Sequence, residues 1–158
     1  MSLAIRPARN GDAPLIFEFV RELADYERLL HEVDATVEDI DRALFSESPR
    51  AFCDIAEWAG EPAGIALWFH NFSTFRGRHG LFLEDLFVRP AFRGRGIATA
   101  LMKHLAKHCL NKGLARFEWS VLDWNEPAIR FYRSIGAVPL EDWTIQRISG
   151  DALRKLAG

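Results

Sequence analysis

Residues 81–101, LFLEDLFVRPAFRGRGIATAL, constrain the fold more than any other stretch of this chain. Leu81, Phe82, Leu83, Leu86, Phe87 and Val88 predict a buried strand. Pro90 stops it, because proline cannot donate to a ladder. Arg93-Gly94-Arg95-Gly96 predicts a turn, and Ile97 opens a helical pattern. Two features of the stretch do not serve packing. Glu84 and Asp85 interrupt the apolar run. On a regular strand Glu84 shares a face with Phe82, Leu86 and Val88, and Asp85 shares the other with Leu83 and Phe87. An unpaired buried carboxylate costs several kcal/mol, so at least one of the two must meet a wet cleft, a cation or a bulge. The second feature is the pair of glycines at a helix start, with Arg89, Arg93 and Arg95 close in sequence. Glycine lets backbone approach a ligand, and a helix start offers unpaired N–H groups, which suits a pyrophosphate. The same residues also suit a plain surface turn.

The rest of the chain supplies layers around that strand. Leu3–Pro7 predicts a first strand, and Asp12 is a candidate N-cap for a helix whose apolar stripe runs from Ile16 to Leu30. Thr36-Val37-Glu38-Asp39 resembles a capping box for a short second helix. Residues 52–58 and 63–72 predict two strands joined by Ala59-Gly60-Glu61-Pro62, and residues 73–80 a second turn. The helix after Gly96 ends at Gly113. Residues 116–122 predict a strand, Asn125 caps a further helix, and residues 143–148 predict a last strand. The order β-α-α-β-β-β-α-β-α-β implies an α/β (α+β) domain over residues 1–158: a mixed, mostly antiparallel central sheet with helices on both faces.

Composition excludes several classes of function. A chain of 158 residues that is 49% hydrophobic, with five tryptophans, suits one packed core. A net charge of −2 gives no field to attract nucleic acid or an anionic membrane. No apolar run reaches the roughly 20 residues of a membrane helix, and residues 1–10 hold no apolar core of signal-peptide length, so no signal segment is expected. Cys53 and Cys109 have neither disulfide-framework nor metal-ligand spacing, so a reducing, cytoplasmic setting is expected. His104 and His108 stand four apart on one helix but lack a third ligand, and an exposed helix face accounts for them. No metal is expected. A Walker A loop is excluded because no Lys-Ser or Lys-Thr follows the glycines, and an antiparallel meander before the turn fits a dinucleotide-binding fold poorly.

The pattern Arg93-x-x-Gly96-x-Ala98, after a hydrophobic strand and opening a helix, resembles the acyl-CoA signature of the GNAT superfamily of N-acetyltransferases, and the element order resembles that fold throughout. Leu83-Glu84-Asp85-Leu86-Phe87-Val88, Leu122-Asp123-Trp124-Asn125-Glu126-Pro127 and Phe131-Tyr132 resemble its diamine (spermidine/spermine-type) acetyltransferase branch. The last seven residues, ALRKLAG, resemble the type within that branch that prefers thialysine and related amines. The resemblance implies acetyl-CoA as co-substrate, held at pyrophosphate by Arg93, Gly94, Arg95, Gly96, Ile97 and Ala98. It implies pantetheine on a splayed edge at Leu86, Phe87 and Val88, with Asn125 and Tyr132 along the CoA arm. It also implies a homodimer and a small-molecule amine acceptor.

A primary amine with a lysine-like pKa of about 10.4 arrives protonated and cannot attack a thioester until it loses that proton. In the resembled branch the position of Glu84 accepts that proton through water, and Tyr132 protonates the departing thiolate. Glu27, Glu32, Asp85 and Trp143 match acidic and aromatic acceptor positions, a composition suited to an organic ammonium. Arg28-Leu29-Leu30-His31 stands where polyamine enzymes are more acidic, which favours a shorter amine or an amino acid. Two other readings fit part of this: acetylation of a peptide or protein amine, and a non-catalytic acyl-CoA sensor.

Overall fold

The computed structural model describes residues 2–158. The chain forms two compact units, residues 1–120 and 121–158. The first holds β1 (Leu3–Pro7), α1 (Ala13–Tyr26), α2 (Val37–Phe45), β2 (Ala51–Trp58), β3 (Glu61–Ser73), β4 (Arg78–Val88), α3 (Ile97–Lys112) and β5 (Phe117–Trp119). The strands make one sheet in the order β1-β2-β3-β4-β5. Its first four strands are antiparallel, and β5 runs parallel to β4.

The turns have local causes. Ala59 (φ 52°) and Gly60 (φ 84°) both take positive φ, the geometry of a two-residue hairpin whose twist matches its strands. β3 and β4 run further into their hairpin than the pattern predicts, and the Gly77 N–H closes its tip on the Ser73 carbonyl at 2.8 Å. At α2 the expected capping box is present: Thr36 Oγ1 accepts from the Asp39 N–H at 3.2 Å, and the Asp39 carboxylate accepts from the Thr36 N–H at 2.8 Å. Asp12 differs from expectation. Its carboxylate makes no cap bond but turns back to Arg6 at 2.7 Å and to the Arg9 N–H at 2.8 Å.

Helix α1 ends at Tyr26, short of the predicted Leu30, and a 3-10 turn follows at Leu30–Glu32. A Schellman motif closes it. The Arg28 N–H donates to the Asp25 carbonyl at 3.0 Å, and the Leu29 N–H to the Ala24 carbonyl at 2.8 Å. That motif needs a left-handed residue after the cap, and Arg28 fills the position at φ 63°. For an L-residue the left-handed conformation costs about 1–2 kcal/mol.

One face of the sheet presents Cys53, Ile55, Ile65 and Phe87 to Ile16, Phe19, Leu23 and Leu44 of α1 and α2. Phe19 is fully buried, and truncating such a side chain to alanine costs about 3–5 kcal/mol. Helix α3 covers the other face. There the His108 ring lies 4.9 Å from Trp68, and His104 Nε2 lies 3.3 Å from Asp54 Oδ1. The exposed-face reading of these two histidines is therefore wrong. They point at the sheet, where Asp54 also accepts from Trp68 Nε1 at 2.9 Å.

The second unit holds α4 (Glu126–Ser134) and α5 (Gly150–Ala157). The predicted strand at 116–122 contracts to Phe117–Trp119, and the predicted strand at 143–148 has no ladder at all. An alternating apolar pattern makes a strand only when an edge pairs with it; here Trp143 is 79% exposed and Ile145 75%. α5 is not among the elements the pattern predicts, since eight residues hardly establish a helical period.

Candidate active site

Register decides the positions of the two central carboxylates. Trp68 pairs with Leu83 and Leu67 with Asp85, so Glu84 has no partner on β3. Glu84 is the extra residue of a β-bulge. A bulge shifts the pleat by one. Leu83 therefore sides with Trp68 and α3, while Asp85 sides with Leu67 and Phe87 on the α1 face. This overturns two expectations: that Asp85 shares a face with Leu83, and that Glu84 shares one with Phe82, Leu86 and Val88. The bulge leaves Glu84 exposed and turns Asp85 inward.

Burial first, then the neighbouring Glu84 and Glu27, pushes the Asp85 carboxyl up to about 7. Glu27, the C-cap residue of α1, is raised by its own burial. Asp85 thus has an acid on each side that acts on its charge: Glu84, its neighbour on the bulge, and Glu27, where α1 ends. Glu32 in the following turn is exposed and lies 3.6 Å from His31 Nε2.

Beyond the bulge β4 loses its outer neighbour. It pairs with β5 only from Leu81–Phe117 to Leu83–Trp119. The Arg89 N–H donates inward to Ala63 O at 2.8 Å. Alternation from that bond directs the backbone groups of Leu86 and Val88 to the open edge, while the Phe87 side chain packs into the α1 core. The Val88 carbonyl accepts from Arg93 Nε at 3.0 Å, and the Arg93 guanidinium sits 5.1 Å from the Tyr26 ring. Arg89 behaves otherwise. Glu22 at 2.8 Å and Glu18 at 3.2 Å offset its charge, so it adds little to an anion site. Arg95 lies 5.0 Å from the Trp58 ring.

The turn before α3 has the form an anion cradle needs. Gly94 (φ 79°) and Gly96 (φ 76°) take left-handed conformations, and a Cβ at either would meet nothing within 4 Å. Gly96 is the N-cap, with no side-chain cap and no acid in the first turn. The buried Ile97 anchors the helix start, and Ala98 follows it. In the second unit Asn125 is buried, and its Oδ1 accepts from the Ala128 N–H at 3.4 Å, capping α4. Tyr132 lies one residue along from Phe131, with ring centroids 5.5 Å apart. Among the described residues no three His, Cys, Asp or Glu side chains gather as a possible metal site.

A strand that splays beside a bulged acid, and leads through a glycine turn into an uncapped helix, agrees with what the family comparison finds: residues 16–137 match the Acetyltransferase (GNAT) family. The chain belongs to the acetyltransferase (GNAT) family. This acetyltransferase is 39% identical to a thialysine N-epsilon-acetyltransferase of Mus musculus, over 99% of this chain and 98% of that one. It is 36% identical to an L-ornithine N5-acetyltransferase of Arabidopsis thaliana, over 80% of this chain and 52% of that protein. Among solved structures it is similar to an integron cassette protein from the mobile metagenome of V. cholerae, with a TM-score of 0.82 and 30% identity over 99% and 98% of the two chains. Members of the family use acetyl-CoA.

The sequence offers a bulge as one of three resolutions for Glu84 and Asp85 without saying which residue it displaces, and it sets Glu27 and Asp85 at one acceptor site by resemblance alone. The Schellman turn at Arg28 is not anticipated. Arg28 left no sign, because any residue can occupy that place in a pattern of apolar spacing.

Proposed function

We propose that this acetyltransferase moves the acetyl group of acetyl-CoA directly to the primary amine of a small molecule, such as thialysine, a lysine-like amino acid, a diamine or a polyamine. The observation that carries the reading is the bulge. It presents Glu84 at the point where β4 parts from β5. The open edge at Leu86 and Val88 pairs with pantetheine, with Phe87 fixing the strand from behind. Arg93 through Ala98 hold the pyrophosphate, since Gly94 and Gly96 leave open space and the first turn of α3 has uncommitted N–H groups. Asn125 shapes the start of α4 and lies along the CoA arm.

The acceptor enters as an ammonium, attracted by Glu27, Glu84 and Asp85, with Glu32 and Trp143 as outer contacts. Glu84, exposed to water, takes the amine proton through a water molecule. The neutral amine attacks the thioester carbon, the C–S bond breaks, and Tyr132 gives its phenolic proton to the CoA thiolate. The whole chain acts as one N-acetyltransferase domain. A homodimer accounts for Val138, Leu140, Trp143 and Ile145, which are 62–79% exposed in the single chain. Free Cys53 and Cys109 suit the cytoplasm, and no helix among the described residues is long and apolar enough to cross a membrane. Glu84→Gln tests the proton path. It should remove the acidic limb of the kcat/KM–pH profile and lower turnover about 100-fold; an unchanged profile would remove Glu84 from the path.

A further inference from the structure

Arg93 carries a charge next to the glycine turn, but its side chain is engaged elsewhere. Its Nε donates to the Val88 carbonyl at 3.0 Å. Its guanidinium lies 5.1 Å from the Tyr26 ring and 5.6 Å from the Phe87 ring, within cation–π range of both. Both rings belong to the α1 side of the sheet, since Tyr26 ends α1 and Phe87 packs into the core beneath it, whereas α3 covers the other face. The local chain explains how Arg93 returns to the strand it has just left. Pro90–Phe92 forms a 3-10 turn, closed by the Phe92 N–H on the Arg89 carbonyl at 2.9 Å. The left-handed Gly94 and Gly96 follow, and then α3.

The bond to Val88 matters because of where that carbonyl lies. It faces the open edge of β4, beyond the three residues that pair with β5. Acetyl-CoA bound as read above lies along this edge by its pantetheine and in the turn by its pyrophosphate. Its length between those two points requires a fixed spacing of edge and turn. The Arg93–Val88 bond ties them together across five residues. We infer that Arg93 is a positioning residue, whose Nε donor sets the spacing between the pantetheine edge and the pyrophosphate turn, and whose charge is not used on phosphate. This rests on the acetyl-transfer reading above and assigns, within it, which part of Arg93 acts. A misplaced thioester reacts slowly even when bound, since a shift of about 1 Å can cost about 100-fold in rate. Loss of the bond therefore lowers kcat as well as affinity.

Two substitutions separate the donor from the charge. In Arg93→Gln the amide nitrogen takes the place of Nε, so the donor stays and the charge goes. In Arg93→Lys a methylene takes that place, and the charge stays one atom further out. By calorimetry Arg93→Ala should lower CoA affinity at least ten-fold; Arg93→Gln should restore most of the loss and Arg93→Lys little of it. Thiol release with lysine at saturating acetyl-CoA should follow the same order. The salt dependence of CoA affinity should be as steep in Arg93→Gln as in wild type, because no charge acting on phosphate has been removed. An affinity in Arg93→Lys equal to or above that of Arg93→Gln, or a shallower salt dependence in Arg93→Gln, overturns the proposal and leaves the acetyl-transfer reading standing. If Arg93→Lys does not fold, the salt dependence of Arg93→Gln decides alone. Failure of the wild type to bind CoA refutes the reading of the turn as a pyrophosphate cradle, and this proposal with it.

Discussion

Replacing Asp85 by asparagine should stabilise the protein at alkaline pH while damaging its function. Asp85 is turned inward by the bulge and stands beside two other acids, and its carboxyl rises from an ordinary 3.8 to about 7. That difference corresponds to about 4 kcal/mol of unfavourable free energy for holding the charged form in the fold. The sign follows from proton binding. Between pH 4 and 7 the folded chain holds this proton and the unfolded chain does not, so stability falls as pH rises through that window and levels off above it. Asparagine keeps the shape and removes the charge. A buried amide still costs about 1–3 kcal/mol if poorly hydrogen-bonded, so the net gain at pH 8 is about 1–3 kcal/mol. In a chain of this length that raises the melting temperature by about 5 °C. At pH 4.5, where wild type is already protonated, the gain should vanish. Thermal unfolding of both proteins at the two pH values measures this, and steady-state assays should show a raised acceptor KM. An equal destabilisation at both pH values would mean that Asp85 is an ordinary hydrogen-bonded structural acid and would refute the reasoning.

Three further outcomes follow from named contacts. Gly96→Glu places a side chain and a negative charge at a left-handed N-cap with open space around it; CoA affinity by calorimetry should fall at least 100-fold while the circular dichroism spectrum stays native. Tyr132→Phe should lower kcat at least ten-fold with CoA affinity within three-fold of wild type; equal turnover removes the phenol as the acid. On the α3 face the His108 ring is tilted against Trp68 at 4.9 Å and stacked with His70 at 6.3 Å, and His70 in turn lies 6.4 Å from His79, with Asp54, His104 and Lys112 also facing His108. Burial lowers both His70 and His108, so stability is lost as pH falls below about 6.5, the opposite slope to that of Asp85. His108→Leu should make the melting temperature measurably less sensitive to pH between 5 and 7 than wild type.

Much of the fold is legible because the residues that build it act locally. The Thr36–Asp39 capping box, the Ala59-Gly60 hairpin and the Gly96 and Gly113 helix limits all arise within a few residues of one another. The candidate site is legible in its parts but not in its arrangement. Glu84 and Asp85 are conspicuous in an apolar run, yet their faces depend on a one-residue slip against β3 that no periodicity in β4 records. The splay of β4 from β5 likewise depends on how soon β5 ends. Arg89 and Arg93 look alike in sequence, but Glu18 and Glu22 on α1 engage the first, and the Val88 carbonyl and Tyr26 the second. The region 143–148 reads as a strand from its alternation and forms none, because pairing is a property of two segments and the pattern describes one.

The central claim is that the bulged strand and glycine turn serve direct acetyl transfer to a small amine. Free-thiol release from acetyl-CoA, measured with thialysine, lysine, putrescine, spermidine and a short peptide, tests it most directly. The account predicts amine-dependent thiol release, saturable in acetyl-CoA, with a small amine preferred over the peptide by at least ten-fold in kcat/KM. Thiol release no faster with any amine than without one, despite tight CoA binding, would contradict it.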